Sequence, residues 1–184
     1  MPRLRLLALL IACFALAVVA EDKPKPEAYS GVIVGTGGSV GAKSMQFDFH
    51  ITSYTTDQEV QQLAHLLKEK GQEALQDKLF DEDRGRIRPV TSTGNAIAIA
   101  RKRKDGPDTI ITIVTARNMP FLDLYGGRIQ DYPFGILQVK LNEKGEGVGQ
   151  IMAAAKLKFN KKKGHYELES YGNQYLKAVN IRPE

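Results

Sequence analysis

The sequence has one cysteine and no acceptor motif for N-linked glycans. Cys13 is the only cysteine among 184 residues, and no asparagine stands in an Asn-x-Ser/Thr pattern. A single cysteine allows no internal disulfide, and a chain that loses Cys13 by processing has no thiol chemistry and no cysteine ligand for a metal. Without a glycan acceptor, nothing points to a eukaryotic secretory route, and a bacterial protein is the expected class.

Local motifs for catalysis and cofactor binding are also lacking. The three histidines, His50, His65 and His165, share no metal-ligand spacing. The glycine-rich stretch 35–41 has valine where a dinucleotide-binding loop needs its third glycine, and Arg84 interrupts the acidic run 81–83 that resembles the start of a calcium loop. The motifs therefore predict no catalytic residue, no metal and no cofactor, and they leave enzymatic activity uncertain.

The first 20 residues form a predicted signal peptide. Two arginines precede an apolar run over 6–19, and Ala20 stands before Glu21 as the small residue at the cut. Fourteen apolar residues fall short of the ~20 that a membrane-spanning helix needs. We predict cleavage between Ala20 and Glu21, export to the periplasm or medium, and no transmembrane span in the remaining chain. An uncleaved anchor, or lipidation of Cys13 in a lipobox-like Leu-Ile-Ala-Cys context, is the alternative.

Beyond a polar lead-in at 21–28, the pattern over 29–184 predicts one α+β domain. In the segment 45–53, Met45, Phe47, Phe49 and Ile51 alternate with polar residues, as in a half-buried antiparallel strand. A strand at 29–34 precedes it, and further strands are predicted near 94–103, 109–117, 134–142, 147–160, 165–170 and 175–181. We expect a curved, mainly antiparallel, half-barrel-like sheet of about eight strands, with one long helix after the second strand.

The helix is predicted from Thr56 to the region of Asp81. Thr56-Asp-Gln-Glu59 is a capping box, and apolar residues then recur at helical spacing. Gly71 lies within the apolar stripe, where glycine costs about 1 kcal/mol relative to alanine. We expect Gly71 to allow close packing on the alanine-rich strand 96–100, and a break into two helices is the alternative.

An irregular apolar segment at 118–135 is the predicted binding region. It carries the large side chains Phe121, Leu124, Tyr125, Tyr132 and Phe134. Loops of this length either cap an open end of a core or form the lid of a ligand pocket or a partner surface. If the chain binds a lipid-like ligand or an envelope component, we expect these residues to contact it.

Basic residues concentrate at two predicted hairpin tips. The net charge is +5, and it falls to +3 once the two leader arginines are removed. What remains gathers at Arg101, Lys102, Arg103 and Lys104 and at Lys161, Lys162 and Lys163. Tips at the same end of the sheet would form one patch for anionic phospholipid or an acidic polymer. Otherwise the lysines keep the tips soluble, and nucleic acid is an unlikely partner in either case.

The C-terminal third resembles a group of uncharacterised exported bacterial proteins. The likeness lies in Asp131-Tyr-Pro-Phe-Gly-Ile-Leu, in Gly149 to Lys156 and in Glu169-Ser-Tyr-Gly172. It implies no activity, ligand or catalytic residue. The sequence thus favours an exported, non-catalytic binding domain of the cell envelope, for an apolar or amphipathic ligand or an envelope partner. A hydrolase built on His50 or His165 with a carboxylate, and adhesion to anionic surfaces, are the alternatives.

Overall fold

One antiparallel sheet and one helical element account for the regular structure of the described residues. The computed structural model describes residues 25–35, 44–90, 92–119, 131–171 and 176–184. Its elements are β1 Glu27–Val34, β2 Ser44–Ile51, α1 Asp57–Phe80, β3 Gly85–Pro89, β4 Asn95–Ala96, β5 Ile99–Asp105, β6 Asp108–Thr115, β7 Phe134–Leu141, β8 Gly147–Asn160, β9 His165–Ser170 and β10 Leu176–Pro183. The predicted α+β class and the antiparallel, curved sheet are confirmed.

Two of the strands differ from the sequence-based prediction. The charged stretch after the helix, for which no strand was predicted, continues into β3, which pairs with β2 so that Ile87 lies opposite Phe49. The strand predicted over 94–103 is interrupted at Ile97 and Ala98, which separate β4 from β5. Among the described residues the sheet therefore has ten strands, where about eight were expected.

The sheet curls until its two edges are joined by a short piece of chain. The strand order is β4-β3-β2-β1-β10-β8-β7-β6-β5, with β9 paired only to β8. The edge strands β4 and β5 are consecutive in sequence. Between them, the Ile97 amide donates to the Gly85 carbonyl (2.8 Å) and the Ala98 amide donates to the Val114 carbonyl (2.9 Å). These bonds hold both edges together and give the half-barrel its shape.

The interior of the half-barrel is filled with side chains. Aromatic residues of β2 meet aliphatic residues from strands at both edges in one cluster, and Phe47, Phe49, Ile87, Ile111 and Ile113 are each at most 1% exposed. Burial of a large apolar side chain contributes about 1.5–3 kcal/mol, so this cluster is the main source of stability.

A second apolar cluster lies under the helical element, on the outer face of the sheet. Leu67, Leu75 and Leu79 are buried there together with Val114 of β6 and Ala155 of β8. The predicted capping box is present: the Glu59 amide donates to Thr56 Oγ1, and the Thr56 amide donates to Glu59 Oε2. The helical stripe predicted from the sequence thus faces the sheet.

The helical element folds back on itself at Gly71. A straight α-helix of 24 residues would be about 36 Å long, yet Glu59 and Glu82, at opposite ends, both contact Arg84 Nη2, at 2.6 and 3.3 Å. Gly71 has φ +85° and ψ −173°, which is a region of backbone conformation open essentially to glycine alone. We call residues 57–70 the first arm and residues 72–80 the second arm.

The expectation that Gly71 allows close packing is wrong. A Cβ atom built on Gly71 would meet no atom within 4 Å, so the absence of a side chain makes no room for the sheet. Glycine is required instead by the backbone conformation at the bend between the two arms, which is open essentially to glycine alone. The alternative, a break in the helix, is what the structure has.

The bend predicts that Gly71→Ala destabilises the fold without any steric clash. We expect a loss of about 2–3 kcal/mol, because alanine must adopt a glycine-only conformation. Gly106→Ala is the matched control, since Gly106 also has positive φ (+61°) and open space around it, but lies at a hairpin turn where the left-handed conformation costs about 1 kcal/mol. Urea unfolding of both variants measures the difference, and equal losses would contradict this role for Gly71.

Candidate functional site

The predicted binding loop is described only at its ends. Phe121, Leu124 and Tyr125 lie outside the described residues. Phe134 is 0% exposed and belongs to the cluster under the helical arms, so it packs the core and offers no surface to a ligand. Tyr132 is partly buried, with its hydroxyl donating to Glu169 Oε1 and its ring 5.5 Å from that of Tyr171.

The first basic tip is largely paired with carboxylates. Arg101 contacts Asp57 at the start of the first arm, Lys102 Nζ lies 2.8 Å from Glu27 Oε1, and Arg103 lies 3.8 Å from Asp105. In the second tip, Lys163 lies 3.6 Å from Glu167. Much of the positive charge seen in the sequence is therefore balanced by neighbouring acids.

The two basic tips lie at opposite ends of the sheet. The turn between β5 and β6 lies beside the turn between β7 and β8, because Thr109 pairs with Leu141 and Leu141 pairs with Gly147. From Gly147, β8 runs for 14 residues to the second tip, about 40 Å at roughly 3.3 Å per residue. The tips therefore do not form the single basic patch that adhesion through both would require.

The histidines are not brought together. His165 Nε2 lies 3.5 Å from Glu167 Oε1 on an exposed hairpin, and His50 lies on the outward side of β2. Among the described residues there is no group of three or more His, Cys, Asp or Glu side chains placed to hold a metal ion. The serine-containing stretch 37–41 matches Gly-x-Ser-x-Gly, but that motif serves as a nucleophile only between a strand and a helix. Here it connects antiparallel β1 and β2.

The most site-like feature is the space enclosed by the two helical arms, which we call the inter-arm cleft. Its volume is about 480 Å³. It is bounded by the first arm, by the end of the second arm with the residues that follow it, and by the sheet below. Its lining residues are Glu59, Gln62, Leu63, His65, Leu66, Glu69, Lys70, Lys78, Glu82, Arg84 and Ala98.

The floor of the inter-arm cleft is apolar. Leu63 and Leu66 come from successive turns of the first arm, and Ala98 comes from the link between β4 and β5. Ala98 is 2% exposed, whereas both leucines are only partly buried. Partly exposed leucines in a concave surface leave apolar area that a ligand could remove from water.

Arg84 closes the base of the cleft. Its side chain is only 13% exposed, and its guanidinium donates to Glu59 from one arm and to Glu82 beyond the other. Hydrogen bonds from the Thr56 amide and hydroxyl, together with Arg84, lower the pKa of Glu59 to about 2. Since a buried guanidinium must be paired, Arg84 and these two carboxylates fix the distance between the arms.

One leucine in the sequence points to this cleft, although the periodic apolar pattern of the helix does not include it. Leu66 is the one leucine of α1 that does not belong to the predicted apolar stripe. In the structure it does not join either buried cluster but lines the cleft. A leucine off the stripe of an amphipathic helix is thus a pointer to a second apolar contact.

The residues of the predicted export signal are not among those that the structure describes. Ala20, Glu21 and Cys13 all lie outside the described residues. Within the ranges that are described, no helix is long and apolar enough to cross a membrane. Signal cleavage and lipidation stay predictions from the sequence.

The hydrogen bonds that Thr56 and Arg84 donate to Glu59 predict a pH-dependent stability that Glu59→Gln removes. Glutamine keeps the capping box but not the charge facing Arg84. Because the folded-state pKa of Glu59 is about 2, against 4.5 ordinarily, its stabilisation is complete above about pH 4.5 and is lost as the pH falls toward 2. The unfolding free energy of the variant should therefore fall below wild type at pH 7 and approach it near pH 2. Glu73→Gln, at an exposed second-arm residue, is the control, and a pH-independent difference would contradict the assignment.

Comparisons with known proteins supply no relative from which a function could be carried over. No protein family, no curated protein and no solved structure matches this chain. The functional argument therefore rests on the geometry of the inter-arm cleft.

Proposed function

We propose that this protein is an exported, non-catalytic binding protein of the bacterial cell envelope, and that it holds an apolar or amphipathic small molecule in the inter-arm cleft. The observation that carries the proposal is a cleft of about 480 Å³ with leucine and alanine on its floor and charged residues around it. Small-molecule sites have volumes of about 300–1,000 Å³ and combine apolar walls with a few polar groups.

The walls of the cleft are held in place independently of a ligand. The Tyr166 hydroxyl donates to the Ala64 carbonyl of the first arm (2.9 Å). The Gln76 side chain of the second arm donates to the Ala116 carbonyl (3.1 Å), and Gln72 Oε1 accepts from the Leu157 amide (3.0 Å). A site that is already ordered binds with a smaller entropic cost, which supports a binding role for this cleft.

The cleft replaces the 118–135 loop as the favoured contact region. Of the loop side chains in the described residues, Phe134 is buried and Tyr132 is committed to Glu169 and Tyr171. Buried core residues fill the interior of the half-barrel among the described residues, so the proposed site is one on the surface. The predicted leader supports an envelope location, where amphipathic molecules are abundant ligands.

Binding of the neutral fluorescent probe N-phenyl-1-naphthylamine tests the proposal. We expect saturable fluorescence enhancement by the folded protein, and about tenfold weaker binding by Leu66→Gln, because a leucine contact of about 1.4 kcal/mol is lost. Leu168→Gln is the matched control: Leu168 is 48% exposed on β9 and does not line the cleft. Circular dichroism confirms that both variants are folded.

Two outcomes would overturn the proposal. One is an absence of saturable binding by folded wild-type protein. The other is equal weakening by both leucine substitutions, which would place the probe outside the inter-arm cleft. Native mass spectrometry of the freshly purified protein adds a direct readout of a co-purified small molecule.

A further inference from the structure

Most of the charged groups around the inter-arm cleft already have partners. Arg84 binds Glu59 and Glu82 at the base. Lys78 Nζ lies 2.7 Å from Glu82 Oε1. These four residues form one ion-pair network with no net charge, so they leave little electrostatic attraction for a ligand.

Among the described residues, two oppositely charged side chains at the mouth of the inter-arm cleft have no such partners. Glu69 and Lys70 both line the cleft, and both are exposed. In the part of the chain that the structure describes, neither makes an ion pair or a side-chain hydrogen bond. They are consecutive on the first arm, and neighbours in sequence point about 100° apart on a helix, so they do not neutralise each other. The mouth therefore presents a free cation and a free anion at separate positions above an apolar floor.

We propose that the ligand of the inter-arm cleft is a single-chain amphiphile with a zwitterionic head group. Its chain contacts Leu63, Leu66 and Ala98, the anionic part of its head group meets Lys70, and the cationic part meets Glu69. The inference rests on the proposed function, since it assigns the chemistry of a ligand for the same cleft. The occupant is one monomeric molecule, because a cleft bounded by two arms and closed at its base by Arg84 does not fit the flat surface of a membrane.

Charge complementarity favours a zwitterionic head group over a purely anionic or purely cationic one. A purely anionic head group is attracted by Lys70 but repelled by Glu69, and a purely cationic one meets the reverse situation. Only a head group that carries both signs satisfies both side chains. Exposed charge pairs each change affinity by about two- to fivefold, so the expected selectivity is modest and measurable.

Displacement of bound N-phenyl-1-naphthylamine by three amphiphiles with the same dodecyl chain tests the inference. The competitors are dodecylphosphocholine, dodecanoate and dodecyltrimethylammonium, each used below its critical micelle concentration. We expect dodecylphosphocholine to bind about fivefold more tightly than either singly charged competitor. Because the chain is constant, the differences report on the head group alone.

Substitutions at the mouth of the inter-arm cleft show which charge of the head group each side chain contacts. Lys70→Gln should weaken dodecylphosphocholine and dodecanoate about threefold and leave dodecyltrimethylammonium no weaker. Glu69→Gln should weaken dodecylphosphocholine and dodecyltrimethylammonium and spare dodecanoate. Lys104→Gln and Glu73→Gln, at exposed residues that do not line the cleft, should change none of the affinities.

The failures of the two proposals are distinguishable. If the three amphiphiles displace the probe equally, or if the mouth substitutions do not alter the ranking, the head-group assignment is wrong while ligand binding in the cleft stands. If the folded protein binds neither probe nor amphiphile, the proposed function itself is wrong.

Discussion

The pairing of Arg84 with two carboxylates from opposite ends of α1 is the constraint on which the site depends. The guanidinium is mostly buried, and a buried cation needs both partners to offset its loss of hydration. Glu59 at the start of the first arm and Glu82 after the second arm can reach it together only because Gly71 reverses the helix. The inter-arm cleft is the space that this reversal encloses.

The two apolar clusters have different roles: one fills the interior of the sheet, and the other holds the helical arms on its outer face. The interior of the half-barrel is filled by buried aromatic and aliphatic side chains. The outer cluster holds both arms on the sheet through Leu67, Leu75 and Leu79. Because the scaffold is complete without a ligand, the apolar surface of Leu63 and Leu66 remains available in the cleft. The proposed binding site therefore lies on the outside of the sheet and not in its interior.

Features fixed by local patterns could be predicted, and features fixed by long-range contacts could not. Strict alternation identified β2, and the Thr56–Glu59 pattern located the start of α1. By contrast, β3 resembles a charged loop because Arg86 and Arg88 lie on its outward side, and Arg88 is balanced by Asp48 of the neighbouring strand at 2.9 Å. The bend depends on the backbone angles of Gly71, and its base depends on an ion pair between residues 59 and 84. Neither leaves a periodic signal in the sequence.

An NMR titration of the methyl-labelled protein with monomeric dodecylphosphocholine would locate the ligand on the fold. We expect the largest shifts at the methyl groups of Leu63, Leu66 and Ala98, which line the cleft. The interior methyl groups of Ile87 and Ile111 should shift little. Shifts concentrated at Val90 and Val148, which are exposed valines that line a separate surface groove, or no saturable shifts at all, would contradict the proposed site.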